Sequence, residues 1–144
     1  MKRRLLVLTS CCLGLFPCIW PAIAVEQGSI SSARLGTELN AKRELINDVT
    51  EIVPDTPKIY CAFKTQGAKS GTPVRGAWIA VDVGDIMPPN YKIAEATLTL
   101  TDTIHNGMFN VSEPNTGFPV GKYRVEVYVG DDLAKTIPFT VKAK

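Results

Sequence analysis

The chain has 144 residues, of which 45% are hydrophobic and 21% are charged, and its formal net charge is +2. This length suits one compact domain. A charge so close to neutral excludes the strongly basic surface that nucleic-acid-binding proteins use. The four cysteines would permit two disulfides, but three of them lie near the N terminus, at positions 11, 12 and 18.

The first 24 residues have the layout of a secretory signal peptide. Three basic residues at positions 2–4 precede an apolar stretch from Leu5 to about Ile19, and Ala22-Ile23-Ala24 forms a small-residue cleavage site. Prolines at positions 17 and 21 interrupt the apolar stretch, whereas a membrane-spanning helix needs about 20 apolar residues. We therefore predict cleavage after Ala24 rather than retention as a membrane anchor, and an exported protein that is periplasmic or extracellular.

A second processing route starts from Leu8-Thr9-Ser10-Cys11, which resembles the lipobox of bacterial lipoproteins. In that motif the cysteine is lipidated and becomes the new N terminus. The apolar stretch before it would run only from Leu5 to Leu8, against the usual length of about 7–15 residues. Lipidation at Cys11 is therefore the less favoured route.

Cleavage after Ala24 changes the composition of the protein. It removes three of the 16 basic residues and leaves 13 against 14 acids, so the mature net charge becomes −1. It also leaves Cys61 as the single cysteine of a 120-residue chain, which excludes an intrachain disulfide. A domain of this size buries roughly two-thirds of its unfolded surface and folds without disulfides.

The C-terminal segment predicts a β-hairpin. Apolar and polar residues alternate strictly from Lys122 to Val129, and again from Thr136 to Lys142, as in strands with one buried face. Gly130-Asp131-Asp132 supplies turn residues between them. Because Pro138 cannot donate a ladder hydrogen bond, the last strand should lie at a sheet edge or turn that position outward.

Short β-rich runs separated by turn residues fill the rest of the mature chain. They are centred on residues 32–39, 48–53, 59–64, 75–83, 96–101 and 108–111, and residues 40–46 are long enough for one helical turn. About seven or eight such strands predict an all-β, antiparallel sandwich over residues 31–144. Residues 25–30 are polar and lack periodicity, so we interpret them as a flexible leader.

Three positions in this sandwich resemble those of immunoglobulin-like and fibronectin-III-like domains. Cys61 and Trp78 lie on successive predicted strands, and Gly121-Lys122-Tyr123-Arg124-Val125 resembles the Gly-x-Tyr-x-Cys segment of that fold. The resemblance implies that Tyr123 forms a tyrosine corner and that Val125 occupies the position of the second cysteine. It implies a fold and no particular activity.

Trp78 conflicts with the alternation of its own strand, because Ala77, Ile79, Val81 and Val83 predict the opposite face as the buried one. Three explanations remain open. A β-bulge reverses the register, both faces of the strand are covered, or Trp78 is an exposed binding residue. A core tryptophan is favoured by the usual burial of aromatic residues.

Catalytic chemistry finds little support in the sequence. The one histidine, His105, lies in a turn, and Cys61 alternates with apolar residues in a strand, so we predict an inert thiol. The Gly-x-Ser-x-Gly nucleophile motif is absent from the sequence. A compact hydrolase with paired carboxylates ranks last, since 120 residues leave little room for a cleft. We predict a non-enzymatic protein with no catalytic residues.

Metal binding is also weakly supported. His105, Met108 and Met87 resemble the ligand types of periplasmic copper sites, but they come from separate loops. The turn aspartates could offer oxygen ligands to calcium, but their spacing matches no known loop; they are Asp82, Asp85, Asp102, Asp131 and Asp132. We therefore predict neither a metal nor a cofactor. Asn110-Val111-Ser112 matches a glycosylation sequon.

The leading hypothesis is an exported domain that binds another protein, or that serves as an accessory to an envelope or extracellular assembly. Loops and edge strands host most contacts of such sandwiches. The predicted surfaces are the loop 66–73, the loop 84–91 with its two prolines, and the last strand as an exposed edge. The alternative is a periplasmic carrier of a small ligand or copper that uses His105 and Met108.

Overall fold

The computed structural model describes residues 28–102 and 105–144, which form eight strands and, within these ranges, no helix. Accordingly, none of the described segments is a helix long and apolar enough to cross a bilayer. The predicted signal peptide, its cleavage site and Cys11 lie outside these ranges. The strands are β1 (Ser29–Gly36), β2 (Glu51–Ile52), β3 (Lys58–Gln66), β4 (Pro73–Asp82), β5 (Tyr91–Thr99), β6 (Asn106–Ser112), β7 (Gly121–Val129) and β8 (Asp132–Val141).

Two sheets face each other and enclose the core, so the prediction of an all-β sandwich is confirmed. The three-stranded sheet has the order β1-β3-β6, and the five-stranded sheet has the order β2-β8-β7-β4-β5. All pairs are antiparallel except the two-residue pairing of β2 with β8. The β3–β4 and β5–β6 connections and the β7–β8 turn lie at what we call the upper end, and the β4–β5 and β6–β7 connections lie at the lower end.

The predicted C-terminal hairpin is present with the predicted faces. Every second residue of β7, from Tyr123 to Val129, is buried, and the residues between them are half-buried. Gly130 opens the two-residue turn with φ of 60°, a conformation that glycine adopts without strain. Ala134 forms a β-bulge between the pairs Val127–Lys135 and Tyr128–Leu133, and Leu133 therefore lies outward, 52% exposed.

The helical turn considered for residues 40–46 is not formed. Instead, Leu39 and Leu45 make an isolated antiparallel bridge that closes a tight loop. The side-chain oxygen of Asn40 accepts hydrogen bonds from the backbone N–H groups of Lys42 and Glu44, both at 2.9 Å. These bonds satisfy the backbone locally and compete with a helix, and Arg43 takes a φ of 63° within the loop.

Trp78 lies in the core with 1% of its surface exposed. Its ring meets that of Phe139 edge-on at 6.2 Å between centroids, and its indole N–H has no hydrogen-bond partner among the described residues. The outward-facing Ala77 and Ile79 are also buried, so both faces of β4 are covered. A β-bulge at Val81 then turns Val83 into the core, which explains the conflict seen in the sequence.

The positions that resemble an immunoglobulin-like domain occupy the places that the resemblance implies. The Tyr123 hydroxyl donates a 2.6 Å hydrogen bond to the carbonyl oxygen of Pro119, which forms a tyrosine corner. Cys61 on β3 and Val125 on β7 lie in facing sheets, and both are fully buried. Cys61 is a free thiol, so packing holds the two sheets together here. The phenyl ring of Phe109, which is paired with Cys61 across β3 and β6, fills the space above Gly76 of the facing sheet.

Candidate binding surfaces

The residues considered for copper are not brought together. His105 lies at the upper end, where its ring Nε2 is 3.0 Å from the carbonyl oxygen of Asp102, and Met108 follows it on β6. Met87 lies in the β4–β5 connection at the lower end and packs against the core. Since β4 spans 10 residues, and a strand rises about 3.3 Å per residue, the two ends are too far apart to share a metal ion.

The turn aspartates are divided in the same way. Asp82 and Asp85 lie at the lower end, and Asp102, Asp131 and Asp132 lie at the upper end. The Asp82 carboxylate accepts a 3.1 Å hydrogen bond from the backbone N–H of Gly84, which is a turn-forming role. Across residues 28–102 and 105–144, no three histidine, cysteine, aspartate or glutamate side chains are grouped to hold a metal ion.

Cys61 is buried at the centre of the three-stranded sheet. Burial raises the pKa of its thiol to about 12, because the apolar core disfavours the thiolate. A nucleophilic cysteine needs an accessible thiolate and a nearby base. This thiol has a structural role instead, since it packs in the core beside the aromatic rings of the same sheet.

We expect the folded chain from Val25 onward to resist thiol reagents at pH 8. With a pKa of about 12, roughly one folded thiol in ten thousand is ionised at that pH, against roughly one in four in the unfolded chain. Labelling with Ellman's reagent in increasing denaturant should follow the unfolded fraction measured by circular dichroism. Rapid labelling of the native protein would contradict the buried position.

The outer face of the five-stranded sheet carries charges that pair with one another. The Arg75 guanidinium lies 4.1 Å from the centre of the Tyr128 ring and 3.2 Å from the Glu95 carboxylate. Arg124 contacts Glu126 at 2.7 Å, and the Tyr128 hydroxyl donates to that same carboxylate. The hydrogen bond from Tyr128 and the Arg124 guanidinium lower the pKa of Glu126. The same hydrogen bond raises the pKa of Tyr128, because it stabilises the protonated hydroxyl beside a carboxylate. Glu95 and Glu126 flank the buried Ala77 in the strand register, and Arg124 flanks the buried Ile79. We therefore do not place the binding site on this face.

The lower end carries exposed apolar side chains on a fixed backbone. Ile86, Tyr91 and Val120 are 66%, 48% and 49% exposed. Ile86 lies in the β4–β5 connection, Tyr91 begins β5, and Val120 directly precedes β7. The backbone N–H of Asn90 donates to the carbonyl oxygen of Val81 at 3.1 Å. Arg124 donates to the Asn90 side chain at 2.6 Å, which holds the connection in place.

Sequence reasoning identified only part of this end. The predicted loop 84–91 contains Ile86 and ends at Tyr91. Val120 was not predicted as a surface residue, because an apolar residue directly before a strand is typical of the core. The predicted loop 66–73 is a set of tight turns in which Gly67 and Gly71 have positive φ, and it exposes no large apolar side chain. It therefore offers less contact area to a protein partner.

A recess of about 660 Å³ lies on the outer face of the three-stranded sheet. Its floor includes Ala62 and Met108, which are paired across β3 and β6, and the loop 40–46 forms one wall. The described residues of its lining include three cations, Arg34, Arg43 and Lys64. Arg34 contacts Asp48 at 3.1 Å, while neither Arg43 nor Lys64 forms an ion pair within residues 28–102 and 105–144. This recess could not be predicted from the sequence, because its described lining comes from four separated segments.

Comparison with known proteins identifies the architecture. No family model matches the chain, and no curated protein matches it. The crystal structure of an immunoglobulin-like protein from Pseudomonas aeruginosa is similar over 80% of this chain and 96% of its own, with a TM-score of 0.53 and 17% sequence identity. The two sheets, the tyrosine corner and this similarity together show that the chain has an immunoglobulin-like β-sandwich fold.

Proposed function

We propose that this protein is an exported, non-enzymatic binding module that contacts another protein through its lower end. The observation that carries the proposal is the group of exposed apolar side chains at that end, Ile86, Tyr91 and Val120. Exposed apolar side chains that share one end of a domain favour an interaction site at that end. Tyrosine is also enriched among the residues that dominate binding energy.

The fixed backbone of the β4–β5 connection supports the same proposal. Asp82 holds the beginning of the connection through the N–H of Gly84, and Asn90 holds its end through Val81 and Arg124. A loop that is ordered before binding loses less conformational entropy when a partner docks. The connection therefore resembles a preformed contact surface.

Export and the absence of enzymatic activity rest on separate arguments. Export is supported by the signal-peptide pattern of residues 1–24. The non-enzymatic assignment is supported by the placement of the reactive groups, because Cys61 is buried in the core and His105 is exposed in the β5–β6 connection. This placement prevents the thiol and the imidazole from acting as nucleophile and base.

Photo-cross-linking in the cells that make the protein tests the proposal. Benzoylphenylalanine would replace Ile86 or Tyr91, and in the control it would replace Leu133, which is also apolar and 52% exposed but lies at the upper end. We expect one partner, identified by mass spectrometry, to be captured from the first two positions and not from the control. Equal capture from all three positions, or capture from the control alone, would overturn the proposal.

Affinity measurements then quantify the contact. Once the partner is purified, Ile86→Asp should weaken its binding by about tenfold or more, because a buried apolar contact is replaced by a desolvated charge. Leu133→Asp is the matched control and should leave the affinity unchanged. An unchanged affinity in the Ile86 variant would exclude the lower end as the contact surface.

A further inference from the structure

Among the strands of residues 28–102 and 105–144, four lie at the borders of the two sheets, and each leaves one side open to strand addition by a further segment. β1 and β6 border the three-stranded sheet, while β5 and most of β8 border the five-stranded sheet. An unpaired border offers a row of backbone N–H and C=O groups to any extended segment. Proteins block such borders with β-bulges, prolines or charged residues. A border without these features is therefore a candidate site for an added strand.

Three of these borders are blocked. Each strand has a β-bulge, at Ser31 in β1, at Ile93 in β5 and at Ala134 in β8. Each also carries at least one charged side chain, and β8 contains Pro138 in addition. The prediction that the last strand offers an open edge is therefore only partly met: β2 covers its final residues, and the remainder is bulged and interrupted by proline.

β6 has none of these features. Its sequence, Asn-Gly-Met-Phe-Asn-Val-Ser, contains no charge and no proline. Its pairing with β3 runs without interruption from Ser112 to Asn106. The backbone N–H of Thr65 donates to the carbonyl oxygen of His105, and the N–H of Glu113 donates to that of Pro57. The odd-numbered residues of β6 are therefore the ones that exchange backbone hydrogen bonds with β3. The backbone groups of residues 106, 108, 110 and 112 consequently face away from β3.

The recess on the outer face lies directly beside this border. Met108 lines the recess and lies on β6. Lys64 also lines the recess, and it is paired with Asn106 of β6. Among the described residues that line the recess, the one acid is Glu44, and its carboxylate accepts a 2.9 Å hydrogen bond from the side-chain amide of Asn40. The cations Arg43 and Lys64 thus lack an ion-pair partner among the described residues. The charge beside the border is positive.

We infer that β6 takes up an extended segment of a partner protein as an additional strand, and that this segment carries acidic side chains on the face above the recess. Backbone hydrogen bonds to residues 106–112 supply affinity, and the side chains of alternate residues supply specificity. An acidic side chain on the added strand would lie two strand spacings from Lys64, about 10 Å, which two long side chains span. This site is separate from the lower end.

A pair of variants at Asn110 isolates the backbone contribution. Asn110 is exposed, and its N–H is among those that face away from β3. Asn110→Pro removes that donor without removing a bond to β3, since proline is tolerated on an edge strand. Asn110→Thr removes the same amide side chain and keeps the N–H. A difference between the two variants therefore reports the outward N–H group.

The probe is a synthetic peptide, acetyl-Thr-Val-Glu-Val-Glu-Val-Thr-amide, added to the ¹⁵N-labelled chain from Val25 onward. We expect it to slow hydrogen exchange of the Met108 and Asn110 amides by about tenfold at saturation. Asn110→Thr should bind it equally, and Asn110→Pro should bind it at least about tenfold more weakly. The same peptide with lysine in place of both glutamates should also bind at least about tenfold more weakly.

A second pair of peptides keeps the test independent of whether the proline variant folds. In an extended peptide, successive N–H groups point to opposite sides of the strand. One peptide is N-methylated at its odd positions and the other at its even positions, so only the peptide whose methylated nitrogens face β6 should lose binding. Protection elsewhere, no protection, or equal binding of the lysine peptide would overturn the inference. Self-association of the wild-type chain that Asn110→Pro abolishes would also overturn it, because the occupant would then be a second copy.

Discussion

Replacing Gly121 with alanine is expected to lower the free energy of unfolding by about 3 kcal/mol or more. Gly121 opens β7 with a φ of 154°. A methyl group at this position would lie 2.2 Å from the carbonyl oxygen of Asp82 and 2.9 Å from the Cα of Val83. Both are backbone atoms, and the adjacent pairing of Asp82 with Lys122 prevents the two strands from separating locally.

Gly71→Ala is the control for this prediction. Gly71 also has a positive φ, of 87°, but a methyl group there would meet no atom within 4 Å. The control therefore tests the strain of an alanine at positive φ alone, which costs about 1–2 kcal/mol. Chemical denaturation of both variants gives the comparison. If the two variants lost the same stability, the close approach of β7 to the end of β4 would be contradicted.

Replacing Val125 with cysteine is expected to produce a disulfide with Cys61 under oxidising conditions. Both positions are fully buried in facing sheets, and Val125 is the direct neighbour of Trp78 in the register of β4 and β7. In immunoglobulin-like domains a disulfide joins the sheets beside the tryptophan. A bridge between positions 61 and 125 closes a loop of about 65 residues and should add about 4 kcal/mol to the free energy of unfolding.

Intact-mass analysis and denaturation with and without reductant measure this effect. The matched control is Val127→Cys, which is equally buried on the same face of β7. It lies two residues farther along the strand, a shift of about 7 Å that exceeds the reach of a disulfide. The control should keep two free thiols. Two free thiols in the oxidised, folded Val125 variant would contradict the arrangement of the sheets.

The sequence predicted the elements whose burial follows a strict period of two. The faces of β7 and the hydrogen-bonding tyrosine at its start could be inferred because each depends on residues close together in the chain. The faces of β4 and β8 could not be inferred in full. The bulges at Val81 and Ala134 shift the alternation by one residue, and neither position carries a glycine or another local mark of a bulge.

The binding surfaces, too, could be predicted only in part from the sequence. Ile86 and the rigid connection around it could be anticipated, since turn residues with an apolar tip are visible in the sequence. The open border of β6 could not be anticipated, because it depends on the sheet order. In that order β5 joins the opposite sheet, and β6 has no second neighbour within the part of the chain that the structure describes. Likewise, the small Ala62 becomes the floor of a recess only once Arg34 and Met108 flank it.

The buried position of Trp78 has an optical consequence. In the chain from Val25 onward it is the single tryptophan, and its ring lies among apolar side chains and against Phe139. Its fluorescence therefore responds to the polarity of the core. A partner at the lower end or a strand added to β6 would leave the emission wavelength unchanged, whereas unfolding would shift it to the red. The fluorescence of Trp78 therefore distinguishes a variant that has lost binding from one that has lost its structure.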